Sequence, residues 1–239
     1  MAVAICINSW VRAFHDEIEA MHTSPQSAAL MNRIYRRQRY IYDLTRKYFL
    51  LGRDRMIDEL NVPDGGRVLE IGCGTGRNLI VAAKKNPQGL FYGFDISNEM
   101  LKSARNNINR HNTRERIFLA QGNAINFHPD VNFGVARFDR IFMSYTVSMI
   151  EPWQMSIEHA TSLLAPGGQL HIVDFGQQTK LPGWFGNMLL RWLAGFHVEP
   201  RSTLEQTLGD LAQKHKLQMD FRPILRDYAC LATLSKPVE

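Results

Sequence analysis

Short, nearly continuous apolar runs alternate along the chain with segments in which apolar residues recur at helical spacing. Val68–Ile71, Leu90–Asp95, Ile117–Ala120, Phe138–Tyr145 and Gln169–Phe175 read as strands, and strands apolar on both faces belong to a parallel sheet covered by helices. Between them, Arg77–Asn86 carries Leu79, Ile80, Ala82 and Ala83 as its apolar positions. Asn98–Arg110 carries Met100, Leu101, Ala104 and Ile108 on one face, behind Ser97, a residue suited to cap its start. Further helices are predicted over Trp153–Leu164, stopped by Pro166-Gly167-Gly168, and over Leu204–His215. This alternation gives an α/β, doubly wound sheet with right-handed crossovers. Leu217–Pro223 and Tyr228–Leu234 close the chain with about four residues between them, a connection that permits only an antiparallel pair.

The first strand ends in Glu70 and opens into Gly72-Cys73-Gly74-Thr75-Gly76 ahead of a helix. Glycines let the backbone turn tightly and approach a ligand, which the free N–H groups of the helix start then face. Asp95 ends the second strand about 20 residues beyond the loop, where a carboxylate accepts both hydroxyls of a ribose. Together these mark a site for a nucleotide-type ligand; the loop alone does not say which.

Composition narrows the setting. Cys6, Cys73 and Cys230 are the only cysteines, with no Cys-x-x-Cys pair, which argues against a disulfide framework or a cysteine metal site and for a reducing, cytoplasmic compartment. No apolar run reaches the roughly 20 residues that span a bilayer. The net charge of +5 is localised: residues 32–55 hold eight Lys and Arg against Asp43 and Asp54, so this segment alone accounts for the surplus. Its apolar and aromatic positions, Ile34, Ile41, Leu44, Tyr48 and Leu51, fit helices, with a second helix at Arg53–Leu60 ahead of Pro63 and Gly65-Gly66. Such a basic, Tyr-rich segment is either a solvated helix whose long cations cover apolar surface, or a face that lies on anionic lipid or closes over a cofactor. The chain accordingly divides into a tail or short helix (residues 1–31), a basic entry segment (32–61) and an α/β domain (62–239), with an apolar insertion at about 180–202.

The glycine loop, Asp95, Gly122-Asn123-Ala124, Phe138-Asp139, Ala165-Pro166-Gly167-Gly168 and the final antiparallel pair occur in one order. This set resembles the class I S-adenosylmethionine-dependent methyltransferases, over Arg67 to Leu234. The resemblance implies a Rossmann-like, mostly parallel seven-stranded sheet with an antiparallel C-terminal strand, S-adenosylmethionine as cofactor and no metal. It implies that Glu70, Gly72, Gly74, Thr75 and Gly76 hold the methionine end, that Asp95 takes the ribose, and that Ile96 lies against the adenine. Asn123 and Ala124 fall at the adenine edge, with Asn where many relatives have Asp, and Ser144 at the reacting end.

The flanks Tyr35–Asp54 and Val173-Asp174-Phe175-Gly176…Phe196-His197-Val198-Glu199-Pro200-Arg201 are similar to the diacylglyceryl-homoserine N-methyltransferases of betaine-lipid synthesis. That similarity implies trimethylation of a head-group amine by a protein peripheral to the membrane, with a lipid as partner. Tyr42, Arg46, Tyr145 and Arg201 are candidates for holding the substrate, Arg201 as a bidentate clamp on a carboxylate. Tyr145, Glu151, His171 and His197 are candidate bases, none distinguished by spacing; Tyr35, Tyr40, Tyr42 and Tyr145 offer aromatic faces to a cationic product. In the insertion Leu181–Val198, Trp184 and Trp192 fit either a membrane interface or a helix packed on the domain. The alternatives are another lipid acceptor, either a quinone ring carbon or the amine of phosphatidylethanolamine, or a cofactor-binding membrane-surface protein without turnover. A nucleic-acid acceptor is not expected, since Ser144-Tyr145-Thr146-Val147 lacks the Asp/Asn-Pro-Pro-aromatic element of amino-adenine enzymes.

Overall fold

The computed structural model describes residues 49–195 and 198–238. Tyr35, Tyr40, Tyr42, Arg46 and His197, with the tail and most of the basic entry segment, lie outside the described residues. The chain divides into two compact units: a larger one, Leu50–Gly186 with the chain from Glu199 onward, and a smaller one to which Phe49 and Asn187–Val198 belong.

The larger unit begins with α1 (Arg53–Asp58) and then alternates β1 (Arg67–Ile71), α2 (Arg77–Lys85), β2 (Leu90–Asp95), α3 (Asn98–Arg110) and β3 (Ile117–Gln121). A short α4 (Pro129–Phe133) leads to β4 (Phe138–Ser144), a 3-10 turn at Val147–Met149, α5 (Trp153–Ser162) and β5 (Leu164–Phe175). After α6 (Gly183–Ala194) come α7 (Leu204–His215), β6 (Gln218–Ile224) and β7 (Ala229–Ser235). The seven strands lie in the order β3-β2-β1-β4-β5-β7-β6. Neighbours from β3 to β5 are parallel, and β7 runs antiparallel to both β5 and β6. This is the Rossmann-like sheet with a reversed last strand that the resemblance implies.

Local chemistry explains most of the element bounds. The Ser97 hydroxyl accepts the Met100 N–H at 3.3 Å and starts α3. The helix before β5 stops at Ser162, short of the expected Leu164, because Leu164 already pairs with Phe138. The register then jumps to Arg140 opposite Gln169, so the intervening Pro-Gly-Gly stretch is a bulge rather than a simple breaker. Helix α4 was not anticipated: five residues are too few for a period, and its marks are a Pro at its start and Gly134 in the left-handed region at its end.

The core joins strand residues such as Leu69, Ile71, Phe94 and Ile141 to Ile157 and Ala160 of α5 and to Leu204 and Leu208 of α7. Met56, Leu79, Ala83 and Leu101, from α1 to α3, are buried as well. The described cations of the entry segment serve the fold. Arg53 is buried and donates to Leu50 O at 2.9 Å, and Arg55 pairs with Glu59 at 2.9 Å. In β4, Arg140 takes the carbonyls of Leu60 (2.6 Å) and Asn61 (2.8 Å) just beyond α1.

In the smaller unit the Trp192 ring packs on Phe49 at a tilt of 31° with centroids 4.5 Å apart, and Leu189, Leu193 and Val198 are buried. Trp192 is therefore a packing residue, whereas Trp184 on the same helix is 72% exposed.

Candidate functional site

Strand β1 pairs with β2 on one side and β4 on the other, so the chain order reverses there, the point at which open α/β sheets carry their ligand crevice beyond the carboxyl ends of the strands. The glycine loop lies at that point. Gly72 N and Cys73 N both donate to Phe94 O at 3.0 Å, which fastens the start of the loop to the end of β2. Gly72 has φ +72°, and a Cβ there would lie 2.6 Å from Thr146 Cγ2, so only glycine fits where the loop meets the segment after β4. Gly76, at φ +76°, begins α2 with no side-chain cap, which leaves the first N–H groups of that helix open to a ligand. Buried Glu70 accepts Asn78 Nδ2 at 2.9 Å, and Asn107 Nδ2 donates to Thr75 O at 3.0 Å. The thiol of Cys73 is pushed well up by burial, then by the Glu70 and Asp95 carboxylates, and stays protonated.

The remaining cofactor candidates fall along the same strand ends. Asp95 is half-buried, and its carboxylate accepts Gly74 N–H at 2.8 Å and Ser97 N–H at 2.9 Å. It therefore orders the loop whatever else it binds. Beside it, Ile96 is 67% exposed, a large apolar side chain with an open face. Asn123 is exposed; its Oδ1 accepts Ile125 N–H at 3.2 Å, which turns its amide nitrogen into the available group, and Ala124 behind it belongs to the core. Ser144 is buried at the end of β4, and its Oγ has no partner among the described residues. Buried hydroxyls are normally satisfied, and this one is an exception.

Two sequence candidates for the acceptor have other duties. Tyr145 stands at φ +55°, a conformation rare for a bulky residue. Three contacts enforce it: Tyr145 N donates to Val173 O at 2.7 Å, the hydroxyl donates to Leu51 O at 2.5 Å, and the ring meets Phe175 edge-on at 4.6 Å. Burial, helped by Asp174, raises its hydroxyl well above the usual tyrosine value, which is the wrong direction for a base. Arg201 is no open clamp. Its Nε donates to Val147 O at 3.2 Å and its Nη2 to Ile150 O at 3.2 Å, and it pairs with Glu151 at 2.7 Å and Glu199 at 3.1 Å. Its side chain is 9% exposed, so the substrate-holding expectation gives way to an internal one. Glu151 is thereby engaged as well.

His171 is buried in β5, with Nδ1 3.4 Å from Thr233 Oγ1, and burial drives its pKa to about 4, so it is neutral at physiological pH. Asp174, read in the sequence only as part of Val173-Asp174-Phe175-Gly176, is a further buried charge. It is fully buried at the end of β5, accepts Ser148 N–H at 3.0 Å and Phe175 N–H at 2.8 Å, and is pushed up to about 6 by burial against the pull of those bonds. A carboxylate inside the apolar run Ile172-Val173-Asp174-Phe175 was the available signal.

A family model described as a methyltransferase domain matches residues 63–225. Among curated proteins, the chain is 28% identical over 126 residues to a demethylmenaquinone methyltransferase of Listeria monocytogenes, across 52% of this chain and 51% of that protein. It is 26% identical over 148 residues to a 2-phytyl-1,4-naphtoquinone methyltransferase of Nostoc punctiforme, across 59% of this chain and 63% of that one. The chain thus spans about half to two thirds of the length of these relatives. Among solved structures, a phosphoethanolamine N-methyltransferase 2 of Haemonchus contortus with S-adenosyl-L-methionine aligns at TM-score 0.61 and 16% identity, covering 77% of this chain and 52% of that one. An O-methyltransferase family protein of Burkholderia thailandensis aligns at TM-score 0.63 and 18% identity, covering 82% and 59%. At such identities these two structures establish the fold.

Proposed function

The chain belongs to the methyltransferase-domain family, and we propose that it transfers methyl groups from S-adenosylmethionine to the head-group amine of a lipid, with diacylglyceryl homoserine as acceptor. Bound in the crevice, the cofactor supplies an electrophilic methyl group on a sulfonium. The side chains there suit it: the Asp95 carboxylate at the end of β2, an open Ile96 face for a purine, and the amide nitrogen of Asn123. The unsatisfied Ser144 hydroxyl offers a bond near the reacting end. The backbone of Gly72 to Gly76 lets the ligand come close. Methyl transfer needs the acceptor lone pair about 3 Å from the carbon and in line with the breaking bond, so the residues around the crevice act chiefly by positioning. Proton loss to water before binding leaves the amine nucleophilic, so the reading requires no base from the chain.

The observation that carries the lipid acceptor is the exposed surface of α6. Trp184 (72% exposed), Met188 and Leu190 stand in solvent with Arg191, on a helix without an acidic residue. Apolar and aromatic side chains with a cation beside them are the composition of a helix lying in a membrane interface. No helix among the described residues is long and apolar enough to cross a membrane, so contact with one leaflet is the proposed mode. The likeness of both flanks to the diacylglyceryl-homoserine enzymes supports the amine. A second reading, methylation of a quinone ring carbon, is favoured by the quinone methyltransferases among the relatives.

The test is purified protein with methyl-labelled S-adenosylmethionine and vesicles that carry diacylglyceryl homoserine, phosphatidylethanolamine or a demethylated quinone. The proposal expects one, two and then three added methyl groups on the homoserine lipid. Label on the quinone alone replaces it with the second reading. Cofactor binding with no label on any lipid leaves a membrane-surface protein without turnover.

A further inference from the structure

Between Ser144 and Trp153 the chain continues past the carboxyl end of the interior strand β4 without a long element of its own, and other parts of the fold hold it in place. The Thr146 hydroxyl lies 3.2 Å from Ile71 O, and its methyl fills the space that Gly72 leaves open, so the segment abuts the glycine loop. From β5, Asp174 receives the Ser148 N–H, while the Ser148 carbonyl accepts Glu199 N–H at 3.0 Å. Arg201 then spans Val147 O, Ile150 O and the Glu151 carboxylate, 6.0 Å above the Trp153 ring. One guanidinium thus bonds three points along residues 147–151.

We propose that Arg201 and Asp174 are positioning residues that lock residues 147–151 beside the crevice, so that the acceptor is aligned by a latch that touches neither acceptor nor cofactor. The inference rests on the methyl-transfer reading for its kinetic consequence, and on geometry alone for the latch. A planar fork satisfies two carbonyls and a carboxylate at once. A lysine has the charge without the fork and reaches one of them. Removing the guanidinium leaves the inward carbonyls of Val147 and Ile150 without their side-chain donor, which favours opening of this segment ahead of the rest of the domain. Thr146 would move with it, while Asp95, Ile96 and the start of α2 would not.

The experiment compares Arg201→Gln, Arg201→Lys and Glu151→Gln with the wild type by amide hydrogen exchange and by steady-state kinetics on the lipid that is methylated. In Arg201→Gln, exchange at Ser148 and Glu199 should rise about tenfold or more, with residues 72–76 unchanged. The acceptor KM should rise about tenfold while the Kd for S-adenosylmethionine stays within about twofold. Arg201→Lys should recover less than half of either effect. Glu151→Gln, which removes an exposed carboxylate and spares the fold, should show a smaller rise at Ser148, and it decides the matter if Arg201→Gln does not fold. Wild-type exchange at Ser148 and Glu199, full rescue by lysine, or faster exchange with unchanged KM and kcat would each overturn the latch. If no lipid is methylated, the methyl-transfer reading fails, and the exchange measurement still tests the latch by itself.

Discussion

The glycine loop and the segment after β4 meet at Gly72 and Thr146, yet they are built in opposite ways. The loop is held by the elements that follow it directly in the chain: Glu70 bonds Asn78, Gly76 N–H bonds Cys73 O, Phe94 and Asp95 on β2 accept three of its amides, and Asn107 of α3 donates to Thr75 O. The segment after β4 takes Asp174 of the next strand on Ser148, but it also depends on residues fifty or more positions away: Leu51 on Tyr145, and Arg201 on Val147 and Ile150. A site made from neighbours in the chain keeps its geometry through local backbone conformation. A site made from distant contacts can be retuned by single side chains far from it. On this account the cofactor end is fixed and the acceptor end adjustable.

The largest expected effect comes from breaking the local region. Gly72→Val forces an L side chain into a left-handed conformation, at a cost of roughly 1–2 kcal/mol, and drives its Cβ into Thr146, for about 1–3 kcal/mol more. Chemical denaturation should show a loss of about 3 kcal/mol, and calorimetry a loss of cofactor binding. Wild-type stability would mean that the two regions do not touch as described.

Next is the buried carboxyl that anchors the remote region. Asp174 is held at about 6 against an ordinary 3.8, so the folded state binds the extra proton between those values. Its penalty is absent below about pH 4, grows as pH rises and is complete above about 6. His171 acts in the reverse sense. Its folded value of about 4 lies below 6.5, so its contribution is intact above 6.5 and lost as pH falls toward 4. Between pH 4 and 6 the two slopes oppose. Asp174→Asn removes the buried charge but leaves one of the Ser148 and Phe175 N–H groups facing an amide NH2, at a cost of about 1–3 kcal/mol that offsets the relief at pH 7.5, so its signature should be an unopposed slope that climbs from pH 4 to 6.5. Urea denaturation across pH checks this, and a destabilised variant with an unchanged profile would count against the assignment.

Smaller still is Ser97→Ala, which removes the cap of α3 and should cost about 1 kcal/mol without altering the acceptor KM. A change in acceptor KM here would blur the division between the two regions.

The same division explains what the sequence allowed one to read. The strand that ends at Glu70, the glycine turn, the Ser97 cap and the end hairpin are written in adjacent residues, where periodicity and turn chemistry act. Arg201 reads in sequence as a clamp on a carboxylate, because nothing adjacent shows its partners at Val147 and Ile150, backbone carbonyls more than fifty residues away in the chain. Tyr145 resembled an accessible hydroxyl until Leu51 O and Phe175 enclosed it. Trp184 and Trp192 looked alike in sequence, and only packing on Phe49 separates them. Asp174 was legible as a charge in an apolar strand, but the amide it receives from Ser148 was not.

The most direct test of the account is calorimetric titration of S-adenosylmethionine into the wild type, Asp95→Asn and Arg201→Gln. Two hydroxyl bonds to a carboxylate are each worth about 1.5–3 kcal/mol, so Asp95→Asn should bind about a hundredfold more weakly or not measurably. Arg201→Gln should bind as the wild type does. Equal affinity in Asp95→Asn, or a comparable loss in Arg201→Gln, would contradict the separation of a local cofactor end from a remotely latched acceptor end.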